Sequence, residues 1–94
     1  MYVHVHACRL AMPQATQSHF YINPLGELDV ELAGRHCRLH GRFGELEFQP
    51  EPTGDWLLRC GQDWQLKLKS RDARSVQCLI EQAREEMEAL MRDL

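Results

Sequence analysis

Two histidines and a cysteine lie at alternate positions near the start of the chain. They are His4, His6 and Cys8, within the segment YVHVHACRL at residues 2–10. Side chains of a β-strand alternate between its two faces, so in a strand all three would point the same way. Imidazole and thiolate are preferred ligands of zinc, and three protein ligands are enough for a site with one open position. The segment therefore raises the question of a zinc site.

A structural interpretation of the same segment is the one that we favour. The intervening positions hold valine and alanine, which predict an apolar face turned toward a core. His4, His6 and Cys8 would then form the solvent-facing side of a terminal strand. Nothing elsewhere in the chain has the spacing of a known zinc motif. We therefore expect no cofactor, and zinc held by these three residues is the alternative.

A second candidate for chemistry is His40, which lies between Asp29 and Glu45 in the strand pairing derived below. A carboxylate beside an imidazole is half of an acid–base apparatus. Arg38 lies between two glutamates in the same way, which favours a ladder of ion pairs on a solvated sheet face. We therefore predict no catalytic residues and expect a protein that is not an enzyme.

Composition narrows the classes of partner. The 94 residues carry a net charge of −3, with acids and bases interleaved. No basic patch stands out that would bind phosphates, which argues against a nucleic-acid partner. No apolar stretch approaches the roughly 18 residues that span a membrane. The length and the 44% hydrophobic content predict a single domain over residues 1–94.

The four cysteines are widely separated and form no C-x-x-C pair. The first 20 residues show no continuous apolar segment of the kind found in a signal peptide. We therefore interpret the cysteines as reduced thiols and expect a cytoplasmic protein.

Alternating apolar and polar residues predict strands along most of the chain. The predicted strands lie within 2–10, 19–23, 28–33, 36–41, 45–49, 56–60 and 64–69.

Turn chemistry predicts how these strands pair. A two-residue turn at Gly34 and Arg35 places Val30 opposite Leu39 and Asp29 opposite His40. It likewise places Leu32 opposite Cys37 and Glu31 opposite Arg38, so apolar residues meet on one face and opposite charges on the other.

Two further loops extend the meander. A four-residue loop at 41–44 would place Leu39 opposite Leu46. An odd-length loop at 61–63 is needed to pair Cys60 with Trp64, because a two-residue turn would mix apolar and polar faces. We therefore predict a three-residue loop there, with a bulge.

The C-terminal segment changes to the period of a helix. Apolar residues at 3–4 spacing run from Val76 to Leu94 and predict one helix over 71–93. Ser70 is the expected N-cap, and Asp72 in the first turn suits the helix dipole. The predicted fold is thus α+β: an antiparallel β-meander of about five to seven short strands, open or curled toward a barrel, covered on its apolar face by one long helix.

The predicted helix is longer than the sheet it covers. About 24 residues span about 36 Å, whereas strands of about six residues span about 20 Å. The last turns should project, yet they remain apolar at Met87, Leu90, Met91 and Leu94. We expect these four residues to form an interface with a second copy of the chain or with another protein.

The sequence therefore predicts a small protein-interaction module that associates with itself as a homodimer through its C-terminal helix. The alternative function is a metal- or small-ligand-binding protein, in which an enzyme would use the N-terminal His/Cys strand.

Overall fold

The computed structural model describes residues 3–11, 16–33 and 37–92. Within these residues the chain forms seven strands and one α-helix. The elements are β1 (His4–Arg9), β2 (Gln17–Asn23), β3 (Glu27–Leu32), β4 (Cys37–Arg42), β5 (Leu46–Pro50), β6 (Trp56–Cys60), β7 (Trp64–Leu68) and α1 (Ser70–Arg92). The α+β class, with antiparallel strands and one C-terminal helix packed on them, is confirmed.

The first four strands form an antiparallel sheet in the order β1-β2-β3-β4. Its inner face is apolar because alternate residues are turned inward, among them the fully buried Phe20, Ile22, Leu28 and Val30. The predicted register between β3 and β4 is confirmed, since Val30 pairs with Leu39 and Asp29 with His40. The turn proposed at Gly34 and Arg35 lies outside the described residues.

The last three strands form a second antiparallel sheet in the order β5-β6-β7. Cys60 pairs with Trp64 and Leu58 with Leu66, as the sorted faces require. The three-residue loop at 61–63 is confirmed, and it begins at Gly61, whose φ of 52° lies in the left-handed region. The alternation of each strand therefore predicted the pairing within this hairpin.

The predicted pairing of β4 with β5 is wrong, because the two strands belong to different sheets. Leu39 does not face Leu46; Leu46 pairs with Cys60 instead. A short 3-10 turn at Phe43–Glu45 redirects the chain after Arg42. Phe43 is buried there, and the Glu45 carboxylate accepts a hydrogen bond from the Arg42 backbone N–H. In the described part of the chain the meander is thus divided into two sheets instead of curling into one barrel.

Helix α1 packs on both sheets along the apolar side predicted from its periodicity. Its buried residues end at Ala83 and, from Ala73 onward, recur at 3–4 spacing: Asp72, Ala73, Val76, Ile80 and Ala83. The Lys69 carbonyl accepts the first intrahelical bond, from the Ala73 N–H at 2.9 Å. Lys69 is therefore the N-cap and Ser70 is already helical, so the helix begins one residue earlier than the sequence indicated.

Backbone contact also links the two sheets directly. Just beyond β1, the Ala11 N–H donates to the Lys67 carbonyl of β7 at 2.9 Å. The beginning of the chain is thereby tied to the last strand before the helix. This link sets β1 beside both β7 and the first turn of α1, which positions the residues considered next.

Candidate functional site

The two faces of strand β1 are turned the opposite way from our expectation. Val3 and Val5 are 48% and 55% exposed, whereas Cys8 is only 7% exposed. His4 and His6 are half-buried on the same side as Cys8. The apolar alternate residues therefore face solvent, and the His/Cys side faces the helix. The structural interpretation of this segment was wrong about direction because helix α1 supplies carboxylates that the imidazoles can contact.

Each histidine of β1 contacts a carboxylate of α1. His4 Nε2 lies 3.0 Å from Glu86 Oε1, and His6 Nε2 lies 3.2 Å from Asp72 Oδ1. The two helix residues are 14 positions apart, so the strand contacts both the first turn of the helix and a position six residues before its last residue, Arg92. His4 and His6 thus share a face without sharing a ligand cluster.

His6, Cys8 and Asp72 come together as one cluster. Their potential ligand atoms all lie within 4.8 Å of one another. His6 and Cys8 are two positions apart on β1, and Asp72 is in the first turn of α1, where its side chain is only 10% exposed. The structure therefore brings together two of the three residues singled out in the sequence and replaces the third, His4, with Asp72.

The Cys8 thiol is held by Ser18 of the neighbouring strand. Ser18 Oγ donates to the Cys8 carbonyl at 2.9 Å and lies 3.6 Å from Cys8 Sγ. Burial raises the pKa of the Cys8 thiol, the Ser18 hydrogen bond lowers it, and the nearby Asp72 charge raises it. A buried thiol of this kind resists ionisation until a cation compensates its charge.

The end of helix α1 is the second candidate site. Beyond Ala83 none of the described helix residues is fully buried: Met87 is half-buried, Leu90 is 45% exposed and Met91 is 68% exposed. Leu94, the fourth residue of the predicted interface, lies outside the described residues. We refer to Leu25, Met87, Leu90 and Met91 as the apolar end.

Leu25 joins this group through the turn between β2 and β3. A Cβ built on Gly26 would lie 3.9 Å from Met87 Sδ, so the turn touches the helix one turn before Leu90 and Met91. Leu25 itself is 65% exposed. No pattern in the sequence indicated this residue, because a single leucine in a turn has no periodicity.

The exposed Val5 of β1, with Val3 just before the strand, lies on the face turned away from helix α1. His4 pairs with Ile22, one residue before the turn that begins at Asn23, and the contact between His4 and Glu86 ties the strand to the helix just before Met87. The five large apolar side chains that are exposed among the described residues are therefore Val3 and Val5 on the outer face at β1, and Leu25, Leu90 and Met91 near the last turns of α1.

The charged ladder predicted on the outer face of the first sheet is present between β3 and β4. The predicted cross-strand partners of His40 and Arg38 on β5 fall away with the β4–β5 pairing, since β5 pairs with β6. His40 Nδ1 lies 2.8 Å from Asp29 Oδ1, and Arg38 Nη2 lies 3.9 Å from Glu31 Oε2. The Arg38 guanidinium also lies over the Tyr21 ring, 5.3 Å from its centroid. These partners are largely exposed, which is typical of cross-strand pairs that order a sheet surface.

A shallow groove of about 360 Å³ separates the 3-10 turn and β5 from helix α1. Phe43, Phe48 and Ile80 give it an apolar floor, and Arg84 lies at its edge. Arg84 Nη1 is bonded to Glu81 Oε1 at 3.2 Å, so the edge carries a compensated pair. The polar side chain of Gln77 also lines the groove, so its surface is mixed and not purely apolar.

Comparison with known proteins identifies no relative of this chain. No protein-family model matches the chain, and neither the search of curated proteins nor that of solved structures finds a significant match. Among the described helices none is both long enough and apolar enough to cross a membrane.

Proposed function

We propose that this protein is an interaction module that associates with itself as a homodimer through the apolar end. The observation that carries the proposal is the concentration of exposed apolar side chains around the last turns of α1. Leu90 and Met91 continue the stripe that is buried as far as Ala83, but their side chains are exposed. Isolated exposed apolar residues are ordinary on protein surfaces, whereas a continuous group favours an interface.

The charges beside the apolar end favour a second copy as its occupant. The last eight residues of α1, from Glu85 to Arg92, carry three glutamates in their first half and a single arginine, Arg92, at their end. When two such helix ends pack antiparallel, Arg92 of one copy comes level with the glutamates of the other. The arrangement is two-fold symmetric, so a single surface satisfies both copies and the assembly closes as a dimer.

The test compares oligomeric state by light scattering over a wide range of protein concentration. The parent chain should become dimeric as concentration rises, and Leu90→Glu/Met91→Glu should remain monomeric because two charges would be buried in the interface. Both positions are exposed, so the double variant should keep the parent's circular dichroism and unfolding midpoint measured under monomeric conditions.

Ala89→Glu is the matched control. It introduces one glutamate in the same helical turn, about 100° around the helix from Leu90, and should dimerise like the parent. A parent chain that stays monomeric at millimolar concentration contradicts the proposal, as does equal dimerisation of the parent and the double variant.

A further inference from the structure

The cluster of His6, Cys8 and Asp72 has the ligand types and spacing of an incomplete tetrahedral metal site. Bonds from zinc to nitrogen, oxygen and sulfur are about 2.0–2.3 Å, which puts neighbouring ligand atoms of a tetrahedron about 3.3–3.7 Å apart. His6 Nε2 and Asp72 Oδ1 are already 3.2 Å apart, and all three ligand atoms fall within 4.8 Å. Small side-chain rotations would bring the set to coordination distances.

Charge balance favours a divalent cation in this position. A neutral imidazole, one thiolate and one carboxylate carry two negative charges together, so a dication leaves the partly buried site neutral. That balance matters because Cys8 is 7% exposed and the Asp72 side chain is 10% exposed, where unpaired charges are costly. The His6 side chain, at 22% exposure, leaves a path for entry from solvent.

Two different elements hold the ligands in place. His6 and Cys8 project from the same face of β1, which is paired along its length with β2. Asp72 is fixed by the first turn of α1, and Ser18 holds the Cys8 side chain through its contacts with Sγ and the carbonyl. Groups that orient a ligand in this way are a regular part of protein metal sites.

We infer that His6, Cys8 and Asp72 form a binding site for a divalent transition metal of the zinc type. The mixed imidazole, thiolate and carboxylate set suits zinc and its spectroscopic substitute cobalt better than magnesium or calcium, which prefer oxygen ligands. Three protein ligands leave a fourth position for water or another small ligand. This inference is independent of dimerisation through the apolar end.

The contact between His4 and Glu86 supplies an internal comparison. It also joins an imidazole of β1 to a carboxylate of α1, at 3.0 Å, but it has no cysteine beside it. If the contacts between β1 and α1 served packing alone, removing either histidine would have similar consequences. A metal site at Cys8 makes His6 essential for binding and His4 dispensable.

The experiment titrates untagged protein, first stripped with a chelator, with Zn²⁺ and separately with Co²⁺. The parent should bind one equivalent of Zn²⁺ by calorimetry. Bound Co²⁺ should show a thiolate-to-cobalt charge-transfer band and the intense visible bands of a four-coordinate ion. Zn²⁺ should also raise the unfolding midpoint, because it binds the folded chain.

Three variants remove one ligand each: His6→Ala, Cys8→Ser and Asp72→Asn. Loss of an outer residue of a metal site typically lowers affinity about 10–100-fold, so loss of a direct ligand should lower it at least as much. Cys8→Ser should also abolish the charge-transfer band. Asp72→Asn preserves side-chain shape and a contact with His6, so it decides the question even if either of the other variants fails to fold.

His4→Ala and Cys78→Ser are the matched controls, since each removes the same residue type outside the cluster. Both should bind Zn²⁺ within about threefold of the parent, the context variation expected of single changes. Failure of the parent to bind either metal would overturn the inference. So would equal loss of affinity in His4→Ala and His6→Ala, or an unchanged cobalt spectrum in Cys8→Ser.

Discussion

Gly41 marks a close approach between the two sheets. It is a buried residue of β4, and a Cβ built on it would lie 2.7 Å from Cys60 Sγ in β6 and 3.3 Å from Leu46 Cδ2 in β5. Real Cβ atoms essentially never approach a neighbour as closely as the first distance. Glycine is therefore required here because a side chain would not fit between the sheets. The requirement comes from space and not from backbone conformation.

Gly41→Ala should lower the free energy of unfolding by about 1–3 kcal/mol, the usual cost of overpacking a core. Cys60→Ala removes the sulfur atom that the new methyl would meet. The double variant Gly41→Ala/Cys60→Ala should therefore be more stable than the sum of the single changes predicts, by about 0.5–3 kcal/mol. Urea unfolding of the four proteins measures this coupling, and strict additivity would contradict the contact.

For individual residues, the sequence predicted part of the candidate metal site. Alternation placed His6 and Cys8 on one face of a strand, and the structure has them there. It did not predict which face is inward, since valine and alanine on the other side satisfied the same pattern. Asp72 lies 66 positions from His6, and no local pattern connects residues across that distance.

Among the secondary-structure elements, the turns between strands depend on glycine to different degrees. Gly54, between β5 and β6, has a φ of 94°, whereas Gly44 in the 3-10 turn has no left-handed φ. An added Cβ meets nothing within 4 Å at either position. The two glycines therefore differ in backbone conformation and not in available space.

Gly54→Ala should destabilise the chain by about 1–2 kcal/mol, because an L-residue is strained at this φ. Gly44→Ala should leave stability unchanged or raise it by up to about 1 kcal/mol, because alanine restricts the unfolded chain without native strain. Thermal unfolding of both variants beside the parent gives the comparison. Equal destabilisation by the two substitutions would mean that space, and not the backbone, limits these turns.

The hairpins that the sequence predicted correctly are those whose faces sort by polarity. Pairing Val30 with Leu39 and Cys60 with Trp64 followed from alternation, because a one-residue slip turns charges into the core. The same argument failed between β4 and β5. Alternation continues through that region, but Phe43 and the Glu45 contact redirect the chain, and the choice between one sheet and two depends on packing across the whole core.

In the molecule as a whole, a buried thiol lies in each sheet. Burial raises the pKa of Cys8 in the first sheet; burial, together with the charges of Glu45 and Asp63, raises that of Cys60 in the second. The folded chain thus holds these protons more tightly than the unfolded chain, whose thiols ionise near pH 8.5. Their contribution to stability is complete below that pH and is lost as pH rises through the folded pKa values.

We therefore expect the stability advantage of the parent over Cys60→Ala to shrink as pH rises above about 8.5, in the presence of chelator. Comparing the two proteins at each pH removes the contribution of other titrating groups. Urea unfolding from neutral to alkaline pH measures the difference, with Cys78→Ala as the exposed-thiol control. A difference that stays constant throughout this window would contradict the buried state of Cys60.

The neighbour-to-neighbour order of both sheets has a consequence for synthesis of the chain. Each strand pairs with the one before or after it, so each sheet can form soon after its strands emerge from the ribosome. Helix α1, which covers β1 and contacts His4 through Glu86, is made after all seven strands. During translation the inner face of the first sheet therefore stays uncovered until the helix has been made. In that interval a nascent chain is most exposed to aggregation or to binding by a chaperone.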